Sequence, residues 1–360
     1  MQMKTKIGSL LMLQVLLLLV VMNARAQEAR WTESKAKDWY AKQKWITGCN
    51  FQPSTAINQL EMFQKDSFDP VTIDRELGWA ENLGFNTMRV YLHHILWTTD
   101  KDGFKKRLNE YLTISSRHGI KTLFVFFDDC WNDSYTPGKQ PAPKQGIHNS
   151  GWVRDPGTMI YNHPDTMKVL EQYVKDVLTT FGKDERILMW DLYNEPGNSG
   201  QLNKSLPLLK AVFAWARQAK PSQPVTAGIW NGSAGFKDLN RFQIEQSDVV
   251  TYHQYKYIDE HEHVADTLSK YNRPLICTEY MARTNGSLFH VIMPMLKQRH
   301  IGAINWGFVS GKTNTIYAWN TPMPAGGEPD LWFHDILRKD GTPYSKEEVA
   351  LIRKLNEVKK

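Results

Sequence analysis

Eight short apolar runs of β type recur along this 360-residue chain, and segments of helical periodicity separate them. The runs lie at 45–51, 87–92, 121–127, 187–193, 224–229, 248–253, 274–279 and 301–308. Between them, Met167, Leu170, Val174, Val177, Leu178 and Phe181 form one apolar stripe, and Leu206, Leu209, Val212, Phe213 and Ala216 form another. Parallel strands need a crossover between them, usually a helix, so regular alternation predicts a parallel sheet covered by helices. Eight repeats favour closure into a (β/α)8 TIM barrel, an α/β single domain over residues 27–360. Such barrels commonly need about 250 residues plus insertions, which this length supplies.

Residues 1–26 are expected to stand outside that domain. Lys4 and Lys6 precede an almost wholly apolar run from Ile7 to Met22, and Ala24-Arg25-Ala26 has the small-x-small form of a signal peptidase site. Cleavage there leaves a chain beginning at Gln27 in the periplasm or outside the cell, with no remaining membrane segment. It also removes Lys4, Lys6 and Arg25, so 44 basic against 38 acidic residues becomes 41 against 38, and the net charge falls from +6 to +3. With mixed signs and no long basic run, nothing calls for a nucleic acid partner. The three cysteines, Cys49, Cys130 and Cys277, sit at or near strand-type runs without framework spacing and read as small buried hydrophobes.

Two of the apolar runs lead into a glutamate: Glu195 follows the fourth and Glu279 ends the seventh. Cleaving a glycosidic bond requires two carboxyl groups facing each other across one sugar. The C-terminal strand ends of a barrel converge on one mouth and can supply that pair. Two long connections, 128–163 and 310–329, also follow strands and are placed to wall a cleft there.

Asn194-Glu195-Pro196 at a strand end resembles the acid/base motif of clan A glycoside hydrolases, barrels whose catalytic glutamates follow strands four and seven. Arg89, in Met88-Arg89-Val90-Tyr91, matches their strand-two arginine, and His253-Gln254-Tyr255 their strand-six His-x-Tyr. Trp306, in Asn305-Trp306-Gly307, matches the strand-eight tryptophan that floors the sugar at the cleavage point. Around Glu279 the sequence Thr-Glu-Tyr-Met stands closer to the Glu-Tyr of family 2 than to the Gly-Glu-aromatic-Gly of family 5, whereas the β-sandwich domains of family 2 are missing; both families stay open. The resemblance implies retaining cleavage of a β-linked xylan, mannan or glucan. Glu195 is then acid and base, with its pKa expected to be raised, and Glu279 is the nucleophile, held ionised by Arg89 and Tyr255. Asn194 binds the hydroxyl beside the reacting carbon and His253 orients its neighbours.

The loop residues Trp131, Trp152, Trp230 and Trp319 offer faces for pyranose stacking, and Asp128, Asp129 and Asn132 are candidate hydroxyl ligands. His93-His94 follows the second run, where one ring is placed to touch substrate. Asp259-Glu260-His261-Glu262-His263 falls at a helix start and reads as a solvated acidic face. No metal or cofactor is expected, because retaining glycoside cleavage needs neither. Internal and chain-end attack both fit: an open groove would favour the first, and the 128–163 loop folded over one end would favour the second. A non-catalytic carbohydrate-binding barrel is the alternative from another class. An aldolase or isomerase lacks a placed Schiff-base lysine or phosphate loop here.

Overall fold

The computed structural model describes residues 30–163 and 165–358, so the 1–26 leader lies outside the described residues. All eight expected strands form. They are β1 Thr47–Asn50, β2 Thr87–Tyr91, β3 Lys121–Asp128, β4 Ile187–Asn194, β5 Val225–Thr226, β6 Val250–His253, β7 Leu275–Glu279 and β8 Gly302–Asn305. Every pairing is parallel, in the order β5-β4-β3-β2-β1-β8-β7-β6. The ring closes between β5 and β6 through an Ile229–Tyr252 bridge, with Ile229 N donating to Thr251 O at 3.0 Å and His253 N to Ile229 O at 2.8 Å. The protein is a (β/α)8 barrel.

Strand alternation sorts the core into two layers. On β2, Met88 and Val90 point outward while Arg89 and Tyr91 point into the barrel. Tyr91, Leu123, Val125, Met189, Ile276 and Ile304 fill the interior. Outside it, Phe126 stacks on Trp190 at 5.4 Å and meets Tyr173 of helix Thr166–Phe181 edge-on at 5.5 Å. The predicted stripe on that helix is buried at Leu170, Val174, Val177, Leu178 and Phe181. Each such side chain contributes about 1.5–3 kcal/mol by leaving water.

β5 is shorter than the expected 224–229. Past Thr226 the backbone leaves the ladder because side chains take its polar groups: Ala227 N donates to Ser247 Oγ, and Gly228 O accepts from Gln243 Nε2. Helix Lys346–Leu355, capped by Ser345, buries Ile352. Among the described residues, no helix is long and apolar enough to cross a membrane.

Candidate active site

β4 carries Asn194 to its C-terminal end, and the chain then turns sharply at Glu195, whose φ is +44. A left-handed glutamate is strained unless its surroundings hold it. Here Asn198 N donates to Glu195 O at 3.0 Å and Asp129 clamps the turn from below. Asp129 accepts from Gly197 N at 2.7 Å, from the Tyr193 hydroxyl at 2.8 Å and from Ser205 Oγ. Asp129 therefore does not line the cavity, contrary to its reading as a hydroxyl ligand. It follows Asp128 in extended chain, and neighbours in such chain point to opposite sides. Burial pushes its carboxyl up to about 6 in spite of these bonds.

Glu279 ends β7 over a buried network. Its Oε1 accepts from Arg89 Nη1 at 2.6 Å and from the Tyr91 hydroxyl at 2.8 Å, and its Oε2 accepts from the Tyr255 hydroxyl at 2.7 Å. Arg89, fully buried, also donates to Asp191 Oδ2 at 2.7 Å and to Asn194 Oδ1 at 2.7 Å. Burial alone would lower the guanidinium pKa; Tyr91, Asp191 and Glu279 drive it well above the ordinary value, so the cation is permanent.

The Glu195 carboxylate meets His253 Nδ1 at 2.8 Å through Oε1, and the Asn198 amide and the Cys130 thiol through Oε2, the latter at 3.1 Å. His253 Nδ1 also lies 3.5 Å from Glu279 Oε2. Oxygen atoms of the two glutamates and a His253 nitrogen all fall within 4.8 Å of one another. The raised pKa expected of Glu195 is not what this arrangement produces. Burial pushes it up, but the hydrogen bond and charge of His253, with Cys130 and Asn198 behind them, outweigh burial and hold it below the usual carboxylate range.

A cavity of about 650 Å³ opens above this pair, within the roughly 300–1,000 Å³ of ordinary ligand sites. Asn194, Glu195, His253, Tyr255, Glu279 and Trp306 line it, with Trp131 and Trp230 further out, while Arg89 lies beneath. The Trp306 ring meets Tyr91 at 5.8 Å and Trp152 at 5.6 Å, both edge-on. Trp152 is itself buried and donates to Asp128 Oδ2 at 2.7 Å. Asp128 also accepts from Asn194 Nδ2 at 2.9 Å, and burial lifts its carboxyl to about 7. Sequence reasoning missed Tyr91, Cys130, Asn198 and Asp191.

Two histidine expectations need correction. His93 and His94 do not line the cavity: His93 Nε2 bonds Arg154 O, and His94 grips both oxygens of buried Asp155 with its backbone N and its ring. Asp259 and Glu260 do open helix Ile258–Ser269, but His261 turns inward, buried, with Nε2 against Ser287 Oγ.

A model of the cellulase family, glycosyl hydrolase family 5, matches residues 76–311. The chain belongs to glycoside hydrolase family 5, and is a glycosidase. No curated protein sequence matches it. Among solved structures it is similar to an endo-β-1,4-mannanase from Thermotoga petrophila, at 14% identity over 89% of this chain and 78% of that one, with a TM-score of 0.57. A family 5 mannosidase from Rhizomucor miehei is 14% identical over 88% and 94% of the two chains, with a TM-score of 0.59. A GH5_18 protein from Bifidobacterium longum in complex with Manβ1-4GlcNAc is 12% identical over 87% and 78%, with a TM-score of 0.58. At these identities the likeness is one of fold. Family 5 resolves the choice left open around Glu279.

Proposed function

We propose that this family 5 enzyme is a retaining β-glycosidase acting on a β-linked poly- or oligosaccharide, with a mannose-containing glycan favoured over xylan or glucan. One observation carries the mechanism: carboxylate oxygens of Glu195 and Glu279 within 4.8 Å of each other in the wall of one cavity. Retaining enzymes hold their carboxyl groups about 5–5.5 Å apart, whereas inverting enzymes leave about 6.5–9.5 Å for a water. The mannanase and mannosidase among the similar folds support the choice of sugar.

In the first step Glu279 attacks the anomeric carbon, the carbon–oxygen bond to the leaving sugar breaks, and Glu195 delivers a proton to that oxygen. Two hydroxyls and a guanidinium donate to Glu279 and aim its carboxylate. His253 holds the Glu195 carboxyl below the usual range in the free site, and a sugar that fills the cavity and excludes water pushes it the other way, toward the acid form. In the second step Glu195, now a base, takes a proton from water, which attacks the glycosyl ester and frees Glu279. Asn194 Oδ1 accepts from Arg89, an obligate donor, which fixes the amide so that Nδ2 points toward Asp128 Oδ1 and, at 3.4 Å, Cys130 Sγ, both at the cavity wall. Trp306 offers the flat apolar face on which the transferred ring rests.

Proton NMR of the first-formed product from β-mannan, xylan and β-glucan oligosaccharides tests this reading. Release of the β-anomer ahead of mutarotation is expected, and α-anomer first would overturn it. Glu195→Ala and Glu279→Ala should each abolish release; turnover unchanged in both would remove the assignment. We infer also that the chain is exported with cleavage before Gln27, on the strength of its charged, apolar and small-x-small leader; N-terminal sequencing of the exported protein checks it.

A further inference from the structure

Two loops from strands far apart around the barrel are laced together over one side of its mouth. The 128–163 loop leaves β3 and the 310–329 loop follows β8, and in the ring β1 and β2 stand between those strands. The loops nonetheless meet. Asn149 N donates to Thr313 O at 2.8 Å and Met323 N to Gly146 O at 2.9 Å. His148 Nδ1 donates to Tyr317 O at 2.8 Å, and Asn314 Nδ2 to Lys144 O at 2.8 Å. Gly146 has φ +65, and a methyl group there would lie 1.7 Å from Met323 O, so the two backbones approach as closely as glycine permits. The segment after β1 joins the same seam: Asn58 Nδ2 donates to Gly151 O at 2.8 Å, Gln59 Nε2 to Val153 O at 3.0 Å and Lys312 N to Ser54 O at 3.1 Å. Three segments thus roof the strand ends of β1 and β2.

The roof stands on the nucleophile's side of the pair. Tyr255, which donates to Glu279, has its ring 5.1 Å from Trp319 and 5.6 Å from His334, both on the β8 side of the seam. Of the outer neighbours of Glu195, Cys130 belongs to the root of the 128–163 loop, whereas Asn198 on the β4 loop and Trp230 after β5, which bonds Pro196 O at 3.2 Å, make none of the seam's contacts. In a double displacement the transferred ring sits over the nucleophile and the leaving group over the acid. The closed side is therefore where the glycone points, and the side of Asn198 and Trp230 is where a leaving chain can run out. Trp131 and Trp319, 38% and 37% exposed, flank buried His148 at the closed end and present indole faces to whatever ring ends there.

We infer, on the retaining reading above, that the cavity is blind on its glycone side, so that the enzyme trims short units from the non-reducing end of its glycan instead of cutting within the chain. Trp131 and Trp319 are the specificity-determining residues of that blind end.

The test uses the whole protein on hexasaccharides of β-linked mannose, glucose and xylose. Each is reduced at the reducing end to mark it, and supplied with its non-reducing terminus either free or capped by a bulky acetal; an aryl β-glycoside reports turnover separately. One small product from the unmarked end should appear first. The capped substrate should be about a hundredfold or more slower, the discrimination that a clash inside a closed pocket gives. A variant with residues 320–328 replaced by a short glycine-serine link, its fold checked by circular dichroism, should gain on the capped substrate while keeping its aryl glycoside rate. Parent enzyme that cleaves capped and free substrates alike, or that yields mid-length products early, would overturn the blind end and leave the glycosidase reading intact. Failure on every substrate, the aryl glycoside included, would overturn both.

Discussion

Arg89 ties the strands of both glutamates to one buried cation. It touches Asn50, Tyr91, Asp191, Asn194 and Glu279 without any access to water. Asp191, buried on β4, depends on it: Oδ2 accepts two of its hydrogen bonds and Oδ1 has no partner at all. Arg89→Met therefore strands a carboxylate in the barrel interior and should cost about 3–5 kcal/mol in urea unfolding, as breaking one side of a buried pair does, with activity lost beyond the loss of folded protein. His253 bears on Glu195 in the opposite sense. His253→Ala removes the contact that holds the Glu195 carboxyl down, leaving burial as the dominant influence, so its titration followed by carbon NMR of labelled glutamate should move upward. An unchanged or lower value would contradict the assignment. At this scale the sequence is legible where a residue stands on a strand. Tyr91 lies two positions beyond Arg89 and so shares its face, a signal that period-two reasoning from Arg89 contains. The same alternation separates Asp128, at the cavity, from Asp129, beneath the Glu195 turn. Cys130 and Asn198 carry no such signal, because they reach Glu195 through irregular turns on which no residue spacing bears.

The strands were legible because eight predominantly apolar runs between amphipathic stripes admit few other folds, and the helix Thr166–Phe181 buries the stripe read from its sequence. β5 was overdrawn because Ser247 and Gln243 compete for its backbone, a contact between residues about twenty positions apart that leaves no periodic trace. The loop seam is hidden for the same reason, since its partners lie more than ninety positions apart. The helix Pro70–Asn82 holds a buried carboxyl of its own. Glu76 accepts from the backbone and hydroxyl of Ser54 beside the β1 loop, and burial lifts it from 4.5 to about 7. The folded state thus binds a proton that the unfolded chain releases near pH 4.5, so the Glu76 contribution is complete below that value and is lost as pH rises through about 7. Asp128 and Asp335, lifted to about 7 and about 6, act in the same direction. Glu76→Gln should flatten the fall in stability between pH 4.5 and 7 and raise the melting temperature at pH 8 relative to the parent. An unaltered pH profile in thermal melts would contradict the buried, protonated carboxyl.

At the scale of the molecule, a parallel barrel brings two acids 84 positions apart in sequence to one mouth because every strand delivers its C-terminal end there. The fold is a consequence of the alternation that opened the sequence, and family membership agrees with it. Closure of the cleft is a property of the loops laid over that frame, and it separates trimming from internal cutting within one architecture. The central claim is that Glu279 forms a bond to the sugar while Glu195 moves protons. Incubation with a 2-deoxy-2-fluoro glycosyl fluoride of the sugar the enzyme prefers, followed by peptide mass mapping, examines it most directly, since the fluorine slows release of the glycosyl enzyme. The account predicts a single added glycosyl mass on the peptide containing Glu279, gained rapidly by the parent and not by Glu279→Ala. Labelling of the Glu195 peptide instead, or turnover of a competent substrate with no labelled glutamate at all, would contradict it.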